Sequence, residues 1–382
     1  MPPPGDLRLV AAYAIFFASY VVFAIGKFPG MQIDRPGAAI IGAVLMVAFR
    51  IVEPADALRH VDFSTIVLLF SMMLIVGYLH LAGLFEWITH VVVTRLRPHH
   101  LLPTVVFTSG VLSAFFVNDV VCLVMVPFVL TATRRMGVPP LPYLLAVATA
   151  SNVGSVATIT GNPQNMLIGS FSGIGYRDFL LHLGPVALAG LLLDWLLIRT
   201  LCLRAHATEP AVPAMDAPAL VAATGAAVML ITRTRDPRLV YEEVDWGLLV
   251  FFAGLFVIVG GADNAGLTAD LLGVTRRWNL HHVAPFTVVV AVLSNLVSNV
   301  PAVMLLKSVV PGFADPHTGW LVLAMASTLA GNLTITGSVA NIIVAERAKA
   351  VAPIGFGDYL RVGLPLTAAT LLVGSGWLWL VG

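Results

Sequence analysis

The sequence predicts an all-α polytopic membrane protein assembled from two repeated units, each with a re-entrant helical hairpin and a discontinuous transmembrane helix. Three observations carry that prediction. The 382-residue chain is 58% hydrophobic and 11% charged, with a mean hydropathy of +0.93, whereas soluble domains carry roughly 25% charged residues. Its apolar residues run in blocks such as STIVLLFSMMLIVGYLHLAG (64–83) and WGLLVFFAGLFVIVGGA (246–262), close to the roughly 20 residues a helix needs to cross a bilayer; a β-barrel would alternate in short segments instead. And the second half of the chain repeats the first.

Taken in order, the spans are 8–25, 36–52, 64–82, an interrupted pair 101–117 and 119–133, 141–170 with a polar middle, and 179–204. After the low-hydrophobicity linker RAHATEPAVPAMDAP (204–218) come 217–232, 246–263, a second interrupted pair 284–298 and 300–311, 320–346 with a polar middle, and 358–381. The linker sets a boundary between a first repeat, 1–205, and a second, 206–382. The leading MPPPGDLR lacks a basic region and a cleavage site, so 8–25 is expected to stay as the first helix. A net charge of +1 offers no basic face for nucleic acid. Cys122 and Cys202 lie in apolar runs and suggest neither a disulfide framework nor a zinc site.

The repeat is legible in four blocks. VDFSTIVLLFSMMLIVG (61–77) aligns with VDWGLLVFFAGLFVIVG (244–260), and VLSAFFVND (111–119) with VLSNLVSNV (292–300), which places Asn118 on Asn299. ASNVGSVATITGNPQN (150–165) aligns with ASTLAGNLTITGSVAN (326–341), and DFLLHLGP (178–185) with DYLRVGLP (358–365). Order and spacing are kept throughout, as a duplication requires.

The polar middles sit where lipid would punish them. A broken membrane helix leaves N–H and C=O groups free, which is tolerable only inside protein or beside a watery cavity. Residues 151–165 contain Gly154, Gly161 and Pro163, expected to break the helix, and 327–341 contain Gly331 and Gly337. Interruptions at equivalent places in two repeats point to a transporter binding site. The hairpin arms reach about 22–26 Å at 1.5 Å per residue, short of a roughly 30 Å hydrocarbon core, so they are expected to enter and turn back. Their tips fall at Asn118-Asp119 and at Ser298-Asn299-Val300-Pro301. Helix N-termini there would offer N–H groups to an anion, and free carbonyls and hydroxyls would offer hard oxygen ligands to Na⁺.

The candidate substrate contacts are therefore Asn118, Thr158, Thr160, Asn162, Gln164, Asn165, Ser298, Asn299, Thr334, Thr336, Ser338 and Asn341. The candidate cation-coupling residues are Asp119, Ser151, Asn152, Gly161, Ser327, Thr328 and Gly337, with Na⁺ held at Asn118, Asp119 and Asn299. Asp119 is the sharpest of these, since an acid at a hairpin tip is costly in lipid and its repeat mate is Val300. Plainer readings stand beside several of them. Asn118 and Asn299 would also cap hairpins, and Asn165 and Asn341 would cap the re-formed helices. Lys307 reads as snorkelling, Asp194 as internally paired, and Cys122 as packing.

These stretches resemble the ion transporter superfamily of divalent anion:sodium symporters, citrate transporters, arsenite permeases and NhaD-type antiporters, and most closely its arsenite-permease-like branch. The motifs that carry the resemblance are Phe116–Asp119 (F-x-N-D), Gly161–Asn165 (GNPQN), Ser298–Pro301 (SNVP) and Gly337–Asn341 (GSxAN). It implies a secondary active transporter of a small inorganic or carboxylate anion, coupled to Na⁺ or H⁺ with no other cofactor. It also implies elevator-like movement of a transport domain against a scaffold, a homodimer, multi-pass insertion in a bacterial inner membrane, and two inverted repeats. Lys27, Arg35, Arg95, Arg97, Arg134, Arg135, Arg199, Arg204, Arg233, Arg235 and Arg238 then share the cytoplasmic side. The second half is one scaffold helix short, because residues 205–216 are too polar and too few to supply it.

Other classes fare worse. GFGD (355–358) matches a Gly-x-Gly-Asp intramembrane aspartyl protease pattern, but Asp358 and its repeat mate Asp178 each begin an apolar run, where capping explains them. The sequence carries no His-Glu-x-x-His or Gly-x-Ser-x-Gly motif, and no phosphate-binding loop to drive a primary pump. A passive channel would show flux without saturation or coupling.

Overall fold

A computed structural model of the chain describes residues 4–25, 33–81, 83, 98–203, 241, 244–267, 269–270, 273 and 277–381. The expected helix 217–232, the short segment 205–216 and the basic residues Lys27, Arg95, Arg97, Arg204, Arg233, Arg235 and Arg238 lie outside the described residues.

The first half supplies α1 (Pro4–Ile25), α2 (Arg35–Ala48), α3 (Pro54–His60) and α4 (Phe63–Leu81). It continues with α5 (Pro98–Phe115), α6 (Asn118–Met136), α7 (Leu141–Ser155), α8 (Pro163–Ser172) and α9 (Tyr176–Ile198). The second half supplies α10 (Trp246–Asn264), α11 (Val283–Val297), α12 (Asn299–Leu306), α13 (Pro316–Ala330), α14 (Val339–Ala348) and α15 (Phe356–Val381). Short 3-10 turns, Ile159–Gly161 and Ile335–Gly337, separate α7 from α8 and α13 from α14. Among the described residues, four unbroken helices are long and apolar enough to cross a bilayer, or five if α3 and α4, bent by 57°, count as one span.

Local chemistry sets these boundaries. Asp34, Asp245 and Asp315 each accept backbone N–H groups in the first turn of α2, α10 and α13, satisfying donors a helix start leaves free. Proline occupies the first turn of α2, α3, α8 and α13, where its missing N–H costs nothing. Gly137 (φ 63°) ends α6 in the left-handed conformation that glycine adopts without a Cβ penalty. The extra helix α3 was not among the expected spans; its sequence, PADALRH, is polar and too short to register as an apolar run.

By packing, the helices fall into two groups. In one, α10 packs against α1, α2, α3 and α4. In the other, α5 packs on α7, α11 on α13, α9 on α15, and α6 on α14. The groups meet along α1 with α11, α4 with α8, and α10 with α12. Polar contacts cross this seam where the Tyr20 hydroxyl donates to Pro301 O (3.0 Å) and the Ser170 hydroxyl to Asp62 (2.6 Å).

Gly154 corrects an expectation. It does not break its helix; it lies inside α7, where an added Cβ would run into the Gly110 backbone of α5. That pair lets two helix backbones approach closely, as small residues do in membrane packing.

Candidate functional site

The two hairpins turn within very few residues. Phe116-Val117 alone separates α5 from α6, and Ser298 alone separates α11 from α12. Asn118 and Asn299 are thus the first helical residues after each turn, within the expected tips. Ser298 has φ 76°, a region that costs a non-glycine residue of order 1–3 kcal/mol.

A cavity of about 190 Å³ lies where these elements meet. Six helices begin at it: α2 at Arg35, α6 at Asn118-Asp119, α8 at Pro163-Gln164, α10 just after Asp245, α12 at Asn299-Val300 and α14 at Val339. Helix N-termini carry partial positive charge and unpaired N–H groups. Their convergence makes an electropositive floor with one basic side chain, Arg35, whose Nε donates to Phe23 O (2.9 Å). Two carboxylates, Asp119 and Asp245, line the same space.

Beneath the cavity runs a network of buried amides. Asn118 Nδ2 donates to Asn152 Oδ1 (3.0 Å), and Asn152 Nδ2 donates to Asn332 Oδ1 and Asn341 Oδ1 (2.9 Å each). The Ser338 hydroxyl donates to Asn152 Oδ1 (3.0 Å). In the other half, Asn162 Nδ2 and Gln164 Nε2 each donate to Thr328 Oγ1 (3.2 Å), which itself donates to Asn165 Oδ1 (3.3 Å). The two sets are reciprocal. Asn152 reaches Asn341, while Thr328, the repeat mate of Asn152, reaches Asn165, the mate of Asn341. Contacts of this form, i to j and j to i, are what a two-fold relation between units produces.

Asn165 and Asn341 do not cap the re-formed helices. Each reaches back across its break, Asn165 Nδ2 to Ser155 O and Thr158 O (3.0 and 2.9 Å) and Asn341 Nδ2 to Gly331 O and Thr334 O (2.7 and 3.1 Å). Ser155 O and Gly331 O stand at the ends of α7 and α13, where carbonyls lack an intrahelical partner, while Thr158 O and Thr334 O also accept from Gly161 N and Gly337 N within the break. The cap of α8 is Asn162, whose Oδ1 accepts from Asn165 N (2.9 Å). Gly161 and Gly337 lie in the 3-10 turns, where a Cβ would strike Ser155 O in the first case and Gly331 O and Asn295 Oδ1 in the second.

Among the described residues three buried amide oxygens find no partner, Asn118 Oδ1, Asn295 Oδ1 and Asn299 Oδ1, and the first and last of them belong to cavity-lining residues. An unpaired buried acceptor costs about 1–3 kcal/mol, and at the matched positions Asn118 and Asn299 the open acceptors border the cavity, where they could take a donor or a cation.

The cavity brings together Asn118, Asp119, Gln164, Ser298, Asn299 and Ser338 among the expected residues. Asn152, Asn162, Asn165, Thr328 and Asn341 form the layer below. Thr158, Thr160, Thr334 and Thr336 do not line it: Thr158 donates to Ala114 O, Thr160 pairs with Tyr176 (3.1 Å), and Thr334 and Thr336 pair with each other (3.3 Å). Ser151 and Ser327 bond back to their own helices, at Ala148 O and Ala324 O. Sequence reasoning missed Asp245, Arg35 and Asn332. Asp245 and Arg35 stand at helix starts remote in sequence from the motifs, whereas Asn332, inside the second polar middle, was open to notice.

Outside the cavity, Asp194 is fully buried against the Thr149 hydroxyl (2.9 and 3.0 Å), the internal pairing expected of it, and the Cys122 thiol donates to Ser151 Oγ (3.1 Å). Lys307 does not simply snorkel; its ammonium sits 4.2 Å from the Phe171 ring centre. Asp178 is not a cap, since Gly175 occupies that position of α9.

With this geometry in view, the citrate transporter family profile (CitMHS) matches residues 20–330. The chain belongs to the citrate transporter family. It is 28% identical to the silicon efflux transporter LSI3 of rice, covering 96% of this chain and 97% of the relative. It is 29% identical to an uncharacterized transporter of Mycobacterium tuberculosis, covering 97% and 98%. The latter alignment runs over 428 residues, longer than this chain of 382, so internal segments of that relative have no counterpart here. The crystal structure of the Alcanivorax borkumensis YdaH transporter shares the fold, with a TM-score of 0.62 at 15% identity over 99% of this chain and 98% of that one. This member of the citrate transporter family is a multi-pass integral membrane transporter and not an enzyme, which disposes of the protease reading of GFGD.

Proposed function

We propose that this transporter moves a small anion of one or two charges, coupled to Na⁺ or H⁺, through the cavity where six helices begin. The observation that carries the reading is the pairing of opposite electrostatics in one small space. Converging N-termini and Arg35 suit an anion, while Asp119, Asp245 and the unpaired oxygens of Asn118 and Asn299 suit a cation. Among the described residues, Arg35 is the one basic side chain on the lining. That disfavours a fully ionised tricarboxylate and favours a dicarboxylate or an inorganic oxyanion.

Transport follows by movement of the group α5–α9 and α11–α15 against α1–α4 and α10, with the two repeats inverted in the bilayer and the hairpins re-entrant. The seam between the groups is crossed by few polar contacts, Tyr20 to Pro301 and Ser170 to Asp62 among them, which suits sliding. The working unit is a homodimer in a bacterial inner membrane. A second reading, efflux of a weakly ionised oxyacid, is favoured by the near full-length relation to the rice silicon efflux transporter.

Uptake into proteoliposomes, with Na⁺ and pH gradients imposed separately, tests both. The expected result is saturable, gradient-driven uptake of one dicarboxylate or oxyanion, abolished by Asn118→Ala with Asn299→Ala. Saturable silicic acid movement would select the second reading, and flux without saturation would defeat both.

A further inference from the structure

Asp178, His182 and His317 lie apart from the cavity, and none takes part in the amide network beneath it. We propose that they form a binding site for a divalent cation of the zinc class, tying the first repeat to the second.

The sequence places Asp178 in the first turn of α9 and His182 one turn later on the same face. His317 is the second residue of α13, in the other repeat. The fold closes the distance. His317 Nε2 lies 2.6 Å from Asp178 Oδ2, His182 Nδ1 lies 3.2 Å from Asp178 Oδ1, and the candidate ligand atoms all fall within 4.8 Å of one another. The two imidazole centres are 5.1 Å apart.

Two imidazoles and a carboxylate form a zinc donor set that leaves a fourth, open position for water. Nitrogen ligands argue against Mg²⁺ and Ca²⁺, which prefer all-oxygen shells. At bond lengths of about 2.0–2.1 Å, ligand atoms around a tetrahedral ion sit roughly 3.4 Å apart. His317 Nε2 and Asp178 Oδ2 are at hydrogen-bond distance and His182 Nδ1 also lies 2.9 Å from Asp178 O, so adjustments of about 1 Å bring the three ligand atoms to the spacing of a bound ion. The ion would bind through lone pairs of the two imidazole nitrogens and the carboxylate, with no electron transfer.

The surroundings fit a built site. Asp315 Oδ1 accepts His317 N (3.2 Å), and the Trp377 indole donates to His182 O (2.8 Å), so both histidine backbones are pinned. All three side chains remain partly exposed, at 28–46%, and a cavity of about 590 Å³ opens beside Asp315 and Thr318, the neighbours of His317. The duplication does not demand the cluster: the mate of Asp178 is Asp358, but that of His182 is Val362 and that of His317 is Leu141. Symmetry explains the aspartate and leaves both histidines to be explained.

The test uses the full-length protein purified in detergent and stripped with chelator. Co²⁺ is titrated while the visible absorption of a tetrahedral ion is followed, then displaced with Zn²⁺, and the unfolding temperature is read with and without Zn²⁺. One equivalent should bind, and Zn²⁺ should raise the unfolding temperature. His317→Ala and His182→Ala should each weaken Co²⁺ binding by at least about 10–100-fold and abolish the Zn²⁺-induced rise, whatever their metal-free stability. Asp358→Asn and the double change His99→Ala with His100→Ala, at an exposed adjacent pair, should bind as the parent does. Equal Co²⁺ affinity in His317→Ala and the parent, or a Zn²⁺-induced rise that survives His317→Ala, would overturn the site.

Discussion

The first broken helix and the second are copies that have kept one half of their chemistry and lost the other. Thr158 and Thr334 hold the same extended backbone, with φ −137° and −135° and ψ 162° in both. Asn165 and Asn341 make the same pair of bonds to the carbonyls before each break. Where the copies diverge, several positions meet the cavity, its hairpins or the close helix contacts. Asn152 answers to Thr328, Asn162 to Ser338, Asp119 to Val300, and Gly154 to Ala330. Positions that hold the break are constrained by backbone groups identical in both units. Positions that face the cavity or a neighbouring helix are free to specialise.

The largest test of that contrast is to remove the two clamps. Asn165→Ala and Asn341→Ala each remove two amide-to-carbonyl bonds, and each should cost about 1–3 kcal/mol by unfolding in detergent, Asn165→Ala also losing the bond from Thr328 Oγ1. A neutral substitution at either position would break the equivalence. On the divergent side, Asp119→Asn should cut gradient-driven uptake by about 10–100-fold, on the order of 1.4–2.7 kcal/mol, while Val300→Ala should leave its ion dependence unchanged. Uptake by the asparagine variant with unaltered Na⁺ and pH dependence would show that the two tips are functionally alike.

Packing gives a smaller separation. Gly154→Ala should destabilise by about 1–3 kcal/mol because its Cβ meets the Gly110 backbone, although alanine already stands at the matching position 330. Smallest is the start of α13. Asp315→Ala removes a cap worth about 1 kcal/mol, and the unfolding temperature should fall slightly. The hydrogen bond from the Thr318 hydroxyl leads in holding the Asp315 carboxyl below its ordinary pKa of 3.8. A depressed folded value means that this contribution is present above about pH 4 and fades as pH falls through the folded pKa. Its exposure keeps the effect small.

Much of this was legible in the linear chain. Apolar blocks give helices long enough for lipid, and the repeat locates both breaks and both hairpin turns to within a few residues. Asn118, Asp119, Gln164, Asn299 and Ser338 all reach the cavity as their motifs suggest. The glycines were harder to read. Gly161 sits in the break, but Gly154 serves a helix contact, and composition alone does not distinguish a glycine that bends a chain from one that lets a second chain approach.

The sequence by itself determined the membrane class, the duplication and the placement of the polar interruptions, because hydropathy and self-similarity are properties of order along the chain. Only the tertiary structure decided that six helix starts share one cavity, that Arg35 and Asp245 join it, that Asn152 and Thr328 cross between halves, and that His317 meets Asp178. Each of those depends on groups far apart in sequence being brought to one place, and that is set by how whole helices pack rather than by any local pattern.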